Sequence, residues 1–176
     1  MAAASSDYRV SEAGWAHRLD RYVAVAAAVA LTDQLLKRLV EGSLAVGQRV
    51  TLIPGFMDLD LVYNTGAAFS LGEGAGWVFV VIAAVLVIGM AVWVVREELP
   101  SSLVLSLACV AGGGIGNLID RVMTGRVVDF LATSFIDFPV FNLADIAVTC
   151  GIVAVLVSWL VWDRSRGADA EGSTRG

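Results

Sequence analysis

Histidine is almost missing from this chain: His17, near the N-terminus, is the only one in 176 residues. That rules out a clustered-histidine zinc site and argues against Ser-His-Asp catalysis. Cysteine is scarce too. Cys109 and Cys150 lie inside apolar runs with no zinc-type spacing around them, so they read as small hydrophobes rather than ligands or a disulfide. Charged residues make up only 16% of the chain and the net charge is −5, with no basic stretch interleaved with aromatics. A nucleic-acid role is left without support. What abounds instead is apolar surface, 57% of all residues, which excludes a disordered chain and argues against an ordinary soluble domain.

A bilayer core of roughly 30 Å needs about 20 mainly apolar residues in a helix. Four segments meet that need, at about residues 19–40, 76–95, 103–121 and 141–162. The second and fourth are plain; the third is short and glycine-rich at its far end, and the first carries Asp33 and Lys37 in its final turns. A rival reading of the first segment is a secretory signal, with Arg18 and Arg21 ahead of an alanine-valine core. The long leader and the absence of one marked small-residue site argue against it. The resulting division is a cytoplasmic tail over residues 1–17, a four-helix domain over 18–163 with outer loops 41–75 and 122–140, and a second tail over 164–176. Both ends are rich in small and charged residues and are expected to be mobile.

Lysine and arginine placement sets the orientation. Arg9, Arg18, Arg21, Arg96, Arg164, Arg166 and Arg175 fall on the side of the termini, against Lys37, Arg38, Arg49, Arg121 and Arg126 on the other, which points to cytoplasmic termini. In the first outer loop, Met57-Asp58-Leu59-Asp60-Leu61-Val62-Tyr63 alternates apolar and acidic side chains, the pattern of a half-buried strand, so a small extracytoplasmic sheet is expected. The second loop mixes polar residues with Phe130, Leu131, Phe135, Ile136 and Phe138 and is expected to lie along the membrane surface.

Tracing the crossings brings Asp33, Lys37, Asn64, Asn117, Asp120, Arg121, Asp129, Asn142 and Asp145 to one face, while the link Arg96-Glu97-Glu98-Leu99-Pro100-Ser101-Ser102 on the other face is brief and plain. Polar groups gathered at one membrane depth suggest a single site. Two acids stand out. Asp129 sits between Val128 and Phe130, where desolvation favours the protonated form. Asp145 opens the fourth segment, where a helix dipole favours negative charge. Each taken alone is equally well a loop acid or a helix cap. Together they could share one proton and activate water, with joint titration.

The remaining motifs have bland readings beside functional ones. Gly112 and Gly116 in Gly112-Gly113-Gly114-Ile115-Gly116-Asn117-Leu118-Ile119-Asp120-Arg121 form a small-xxx-small pair, which suits close helix packing. Asn117 and Arg121 share a helix face, where Asn117 could hydrogen-bond a substrate backbone and Arg121 could hold a carbonyl, a lipid phosphate or Asp120. Asn64-Thr65-Gly66-Ala67-Ala68-Phe69-Ser70 suits a turn or a surface clasping an extended peptide. Asp33 and Lys37, four apart, suit a mutual ion pair. A Ser-Lys mechanism through Ser70 would need Lys37 free, and Asp33 argues against that.

These strings, with Asp33-Gln34-Leu35-Leu36-Lys37, Val128-Asp129-Phe130 and Phe141-Asn142-Leu143-Ala144-Asp145, resemble the lipoprotein signal peptidase (signal peptidase II) family. Five weak blocks stand in the family's order and cover residues 33–145. The resemblance implies a four-helix membrane protein with a small extracytoplasmic sheet and a surface helix. It implies an aspartic endopeptidase of the bacterial inner membrane, cutting prolipoproteins before a diacylglyceryl-modified cysteine. By motif position Asp129 and Asp145 match the catalytic dyad, Asn64, Asn117, Arg121 and Asn142 match substrate-site positions, and Asp33, Lys37, Asp120 and Gly113 match supporting ones. Membrane lipids and the lipidated precursor are the implied partners, for a monomer that needs no metal or other cofactor. A small transporter with a polar path through Asp33, Lys37, Arg121 and Asp145 is the alternative from another class, although the cytoplasmic halves of the segments offer nothing to continue such a path.

Overall fold

The computed structural model describes residues 4–66 and 76–173. Four helices, α1 (Ala4–Ser43), α2 (Gly76–Arg96), α3 (Ser101–Thr124) and α4 (Leu143–Ser173), carry three strands, β1 (Arg49–Ile53), β2 (Met57–Asn64) and β3 (Val127–Thr133). Both terminal segments are drawn into helices: α1 already begins at Ala4 and α4 runs on to Ser173.

Three helices are long and apolar enough to cross a membrane, over Gly76–Arg96, Ser101–Thr124 and Leu143–Arg166. The fourth expected span, in α1, is long enough but too charged, with Asp20 and Arg21 at one end and Asp33, Lys37 and Arg38 at the other. Large apolar side chains on α2 and α4, among them Val81, Val85, Leu86, Ile88, Val153 and Leu160, are exposed. In water so extensive an apolar surface is not tolerated; against lipid it has no cost.

Helix α3 is the central element, touching α1, α2 and α4. Its glycines allow the approach. A Cβ on Gly112 would come within 2.6 Å of the Ala26 carbonyl oxygen of α1, and one on Gly113 would collide with the Ala144 carbonyl of α4. The expected small-residue packing is therefore present, with neighbouring glycines facing different helices. Tyr22, Val94, Leu103, Val104, Leu107 and Ala111 form the core at one end, and the Tyr22 hydroxyl donates to the Val87 carbonyl (3.1 Å). At the other end Val40, Leu61, Val128 and Phe130 join α1 to the sheet.

The sheet is antiparallel in the order β1-β2-β3. Its hairpin turns at Ile53-Pro54-Gly55-Phe56, where the Phe56 amide donates to the Ile53 carbonyl (3.0 Å) and Gly55 has φ +71°. Proline followed by a left-handed glycine is what such a turn requires. The anticipated alternating strand is β2. The surface helix is not found among the described residues. Residues 127–133 of the second loop form β3 instead, because a run of β-branched and aromatic side chains finds an open edge on β2. After β3 the chain returns at Phe141, which pairs with Leu131 (Leu131 N–H to Phe141 O 2.8 Å; Phe141 N–H to Leu131 O 3.0 Å) and so delivers Asn142 and α4 beside Asp129.

Candidate active site

Local structure explains how the two acids meet. Val62 of β2 lies opposite Asp129 of β3, so Asn64, two residues further along, shares its face and reaches it diagonally. The Asn64 Nδ2 donates to Asp129 Oδ2 (3.0 Å), while its Oδ1 accepts from the Gly66 amide (2.9 Å). Asp145 lies in the first turn of α4, whose N-cap is Asn142. The Asp145 amide donates to Asn142 Oδ1 (3.0 Å) and the Asn142 amide donates to Asp145 Oδ2 (3.1 Å). This is a capping box with an aspartate in the place of the usual glutamate.

Asn142 ties the acids together. It is fully buried, and its Nδ2 lies 2.7 Å from Asp129 Oδ1 and 3.0 Å from Asn117 Oδ1. Asn117 in turn donates from Nδ2 to Asp145 Oδ1 (2.8 Å). Every oxygen of the two carboxylates thus faces an amide N–H. Asp129 is 3% exposed, and its carboxyl is pushed up to about 6, mainly by burial, with the negative charge of Asp145 adding to the rise. The amides of Asn64 and Asn142, and the more distant Lys37 ammonium, oppose the shift.

Asn64, Asn117, Arg121, Asp129 and Asp145 line one cavity of about 540 Å³, whose remaining wall is mostly apolar: Val127, Phe138, Pro139, Val140, Phe141, Ile146 and Val148 among others. Arg121 donates from Nη2 to the Gly66 carbonyl (3.0 Å) and stacks over Phe79. It holds a carbonyl rather than Asp120, one of the options its position left open. Asn142 stands behind the carboxylates rather than on the cavity wall. Cys150, exposed and not in a disulfide, lies on the wall five residues beyond Asp145 on α4.

Beneath the cavity lies a buried ionic cluster. Lys37 Nζ is 2.7 Å from Asp33 Oδ2 and 2.8 Å from Asp120 Oδ2. The expected Asp33–Lys37 pair is therefore present with a second acid added, and Lys37 is bound rather than free to act as a base. Gln34, which the sequence reading passed over, donates from Nε2 to Asp120 Oδ1 (2.8 Å) and to the Gly116 carbonyl (3.1 Å). Its polar amide between Asp33 and Lys37, in the same turn of helix, was the available signal. At Gly113, α3 approaches the backbone of Ala144, next to Asp145. Ala67, Ala68, Phe69 and Ser70 lie outside the described residues, so the second half of that motif and the Ser70 alternative have no geometry to report.

Residues 25–161 match the family model described as signal peptidase (SPase) II. A lipoprotein signal peptidase of Ectopseudomonas mendocina is 41% identical over 145 residues, covering 78% of this chain and 86% of the relative. One from Symbiobacterium thermophilum is 39% identical, covering 81% and 95%. Among solved structures, a bacterial membrane enzyme superposes with a TM-score of 0.75 at 29% identity, covering 82% of this chain and 90% of its own. With a match spanning most of its length and the helices, sheet and polar site in the order the motifs required, the chain belongs to the signal peptidase II family.

Proposed function

We propose that this chain is a membrane aspartic endopeptidase that removes signal peptides from diacylglyceryl-modified prolipoproteins, cutting before the lipidated cysteine. The observation that carries this reading is that Asp129 and Asp145 line one cavity and share Asn142 as a common hydrogen-bond donor. Two carboxyls so coupled hold one proton between them. The ionised member takes a proton from water, and the protonated member donates to the scissile carbonyl. Collapse of the tetrahedral intermediate then returns a proton to the leaving amine. Burial raises the proton affinity of Asp129, which suits it to the acid role, while Asp145 accepts N–H groups at the positive end of α4 and suits the base.

Asn64, Asn117 and Arg121 form the polar part of the wall and would orient the peptide, and the apolar part would face the lipidated residue. In this reading all four helices cross the inner membrane, with the site at the extracytoplasmic face and both termini in the cytoplasm. Supporting a fourth crossing, Asp33 and Lys37 are buried and paired inside the bundle, while the outward side chains of α1 include Val23, Leu31, Leu35 and Leu39. The 18–163 segment would then be the catalytic domain, acting as a monomer. No step calls for a metal or cofactor.

The test is incubation of purified protein with a diacylated precursor and its unlipidated twin, beside the Asp129→Asn and Asp145→Asn variants. Cleavage of the lipidated form alone, abolished in both variants, is the expected result. Wild-type turnover by either variant would remove the dyad from the mechanism.

A further inference from the structure

The ionic cluster beneath the cavity has three outlets, and all three end at the two acids. Lys37 is 1% exposed, and its ammonium faces Asp33 (2.7 Å), Asp120 (2.8 Å) and Asn117 Oδ1 (2.9 Å), one acceptor for each of its N–H groups. The other oxygen of Asp33, Oδ1, accepts the Ala144 amide (2.9 Å), immediately before Asp145. Asp120 Oδ2 accepts the Val128 amide (3.2 Å), immediately before Asp129. Because the Asn117 Oδ1 faces the ammonium, its Nδ2 must point the opposite way, toward Asp145.

We propose that Lys37 is a positioning residue for the hydrolysis, fixing the relative placement of Asp129 and Asp145 through Asp33, Asp120 and Asn117. The proposal rests on the dyad reading above. Helix packing alone does not call for this cluster. Gly112 already lets α3 seat against Ala26 and Val29 of α1, and apolar residues of similar size would hold such a contact at least as well as buried charges. What apolar residues could not provide is an anionic acceptor for each of two backbone amides and a charge that forbids one rotamer of an asparagine. Misplacing a reacting group by an ångström is enough to lower a rate by about a hundredfold.

The experiment compares wild type with Lys37→Met, with the neutral triple variant Asp33→Asn/Lys37→Met/Asp120→Asn, and with Arg38→Gln. The last removes an exposed cation paired, among the described residues, with Glu41 and serves as the control. The triple variant keeps a side-chain oxygen for the Ala144 and Val128 amides and leaves no buried ion unpaired. Readouts are the melting temperature, kcat and KM on a diacylated precursor, the pH profile, and a substrate-free infrared titration of the carboxyl band differenced against Asp129→Asn. The charged groups facing Asp129 are Asp145 from α4, Lys37 from α1 and Arg121 from α3, so losing Lys37 leaves the first and last to set its titration. The expected result is a folded triple variant with kcat at least about tenfold lower, KM within about threefold, and a carboxyl titration displaced from that of wild type. A folded triple variant with wild-type kcat, pH profile and infrared titration would overturn the proposal. So would failure of both variants to fold, which would make the cluster purely structural. Should wild type itself leave the precursor intact, the enzymatic reading falls, and the infrared titration still decides whether Lys37 governs the two acids.

Discussion

Asn142 and Asp145 cap each other across the first turn of α4, the amide of each donating to the side chain of the other at 3.0 and 3.1 Å. The Nδ2 of the same Asn142 side chain donates to Asp129 and to Asn117. Helix initiation and the pairing of two acids are therefore one arrangement, and they can be separated by mutation. Asn142→Ala removes both and should lose about 1 kcal/mol of stability through the cap alone. Asn142→Ser keeps an N-cap oxygen but cannot reach Asp129. It should retain most of the stability yet lose activity nearly as far as alanine does, by roughly tenfold or more, the value of a hydrogen bond to a charged group. Melting curves beside kcat for the two variants check this; serine with wild-type kcat would mean the Asn142–Asp129 bond is idle.

The pH dependence follows from the raised carboxyl of Asp129. If the pair must hold one proton, activity falls on the basic side as the Asp129 proton leaves, near pH 6 in the free enzyme. The Asn64 amide stabilises the Asp129 anion and so lowers the basic limb. Asn64→Leu should move that limb to higher pH by roughly one unit. It also frees the Gly66 amide that Asn64 holds, so KM should rise at every pH. A profile of kcat/KM against pH for the two proteins reads both effects, and a limb moving downward would contradict the assignment.

The same shift has a consequence for stability. The carboxyl of Asp129 rises from 3.8 to about 6 on folding, so the folded chain keeps its proton where the unfolded chain has released it. Its contribution is complete below pH 3.8, is lost as pH rises toward 6, and then stays lost, a change of about 3 kcal/mol. Asp129→Asn has no such titration. The melting temperature of the variant should therefore gain on wild type between pH 4 and about 6.5 and hold a constant lead above that, while its activity is absent. Parallel melting curves across that range would show that the folded protein does not hold the proton.

How much of this was legible in the sequence depended on the range of the interaction. The apolar segments of α2, α3 and α4, the alternating β2 and the glycine packing are local patterns, and each appears where the pattern put it. The gathering of Asp33, Lys37, Asn64, Asn117, Arg121, Asp129 and Asp145 at one end of the bundle could be anticipated by counting helices, because each helix reverses the direction of the chain. What could not be read was partnership across the bundle. Asp120 sits beside Arg121 in the chain, yet it pairs with Lys37 and Gln34 of another helix. Nor could the sequence reveal that β3 would take the edge of β2, since its pairing depends on a strand some seventy residues away. The spacing of Asp33 and Lys37 suggested their pairing, but not that both would be buried against α3 with Asp120 as a third member.

Gly113 offers a test of how closely α4 must approach for the acids to work. Its Cα faces the carbonyl of Ala144, so an alanine there meets backbone rather than a yielding side chain tip, with Val148 Cγ2 only 2.9 Å away. The helices must separate, and the first part of α4 to move carries Asp145, one residue along. Gly89 of α2 is the matched control, since a Cβ there has nothing within 4 Å. Gly89→Ala should leave activity unchanged and gain slightly in helix propensity, by up to about 1 kcal/mol. Gly113→Ala should lose about 1–3 kcal/mol through overpacking and lower kcat far more than that loss of folded protein explains. The diagnostic quantity is kcat per folded molecule, with the folded fraction measured by thermal unfolding. Equal specific activity in the two variants would mean that the start of α4 tolerates displacement and that Asp145 does not depend on this contact.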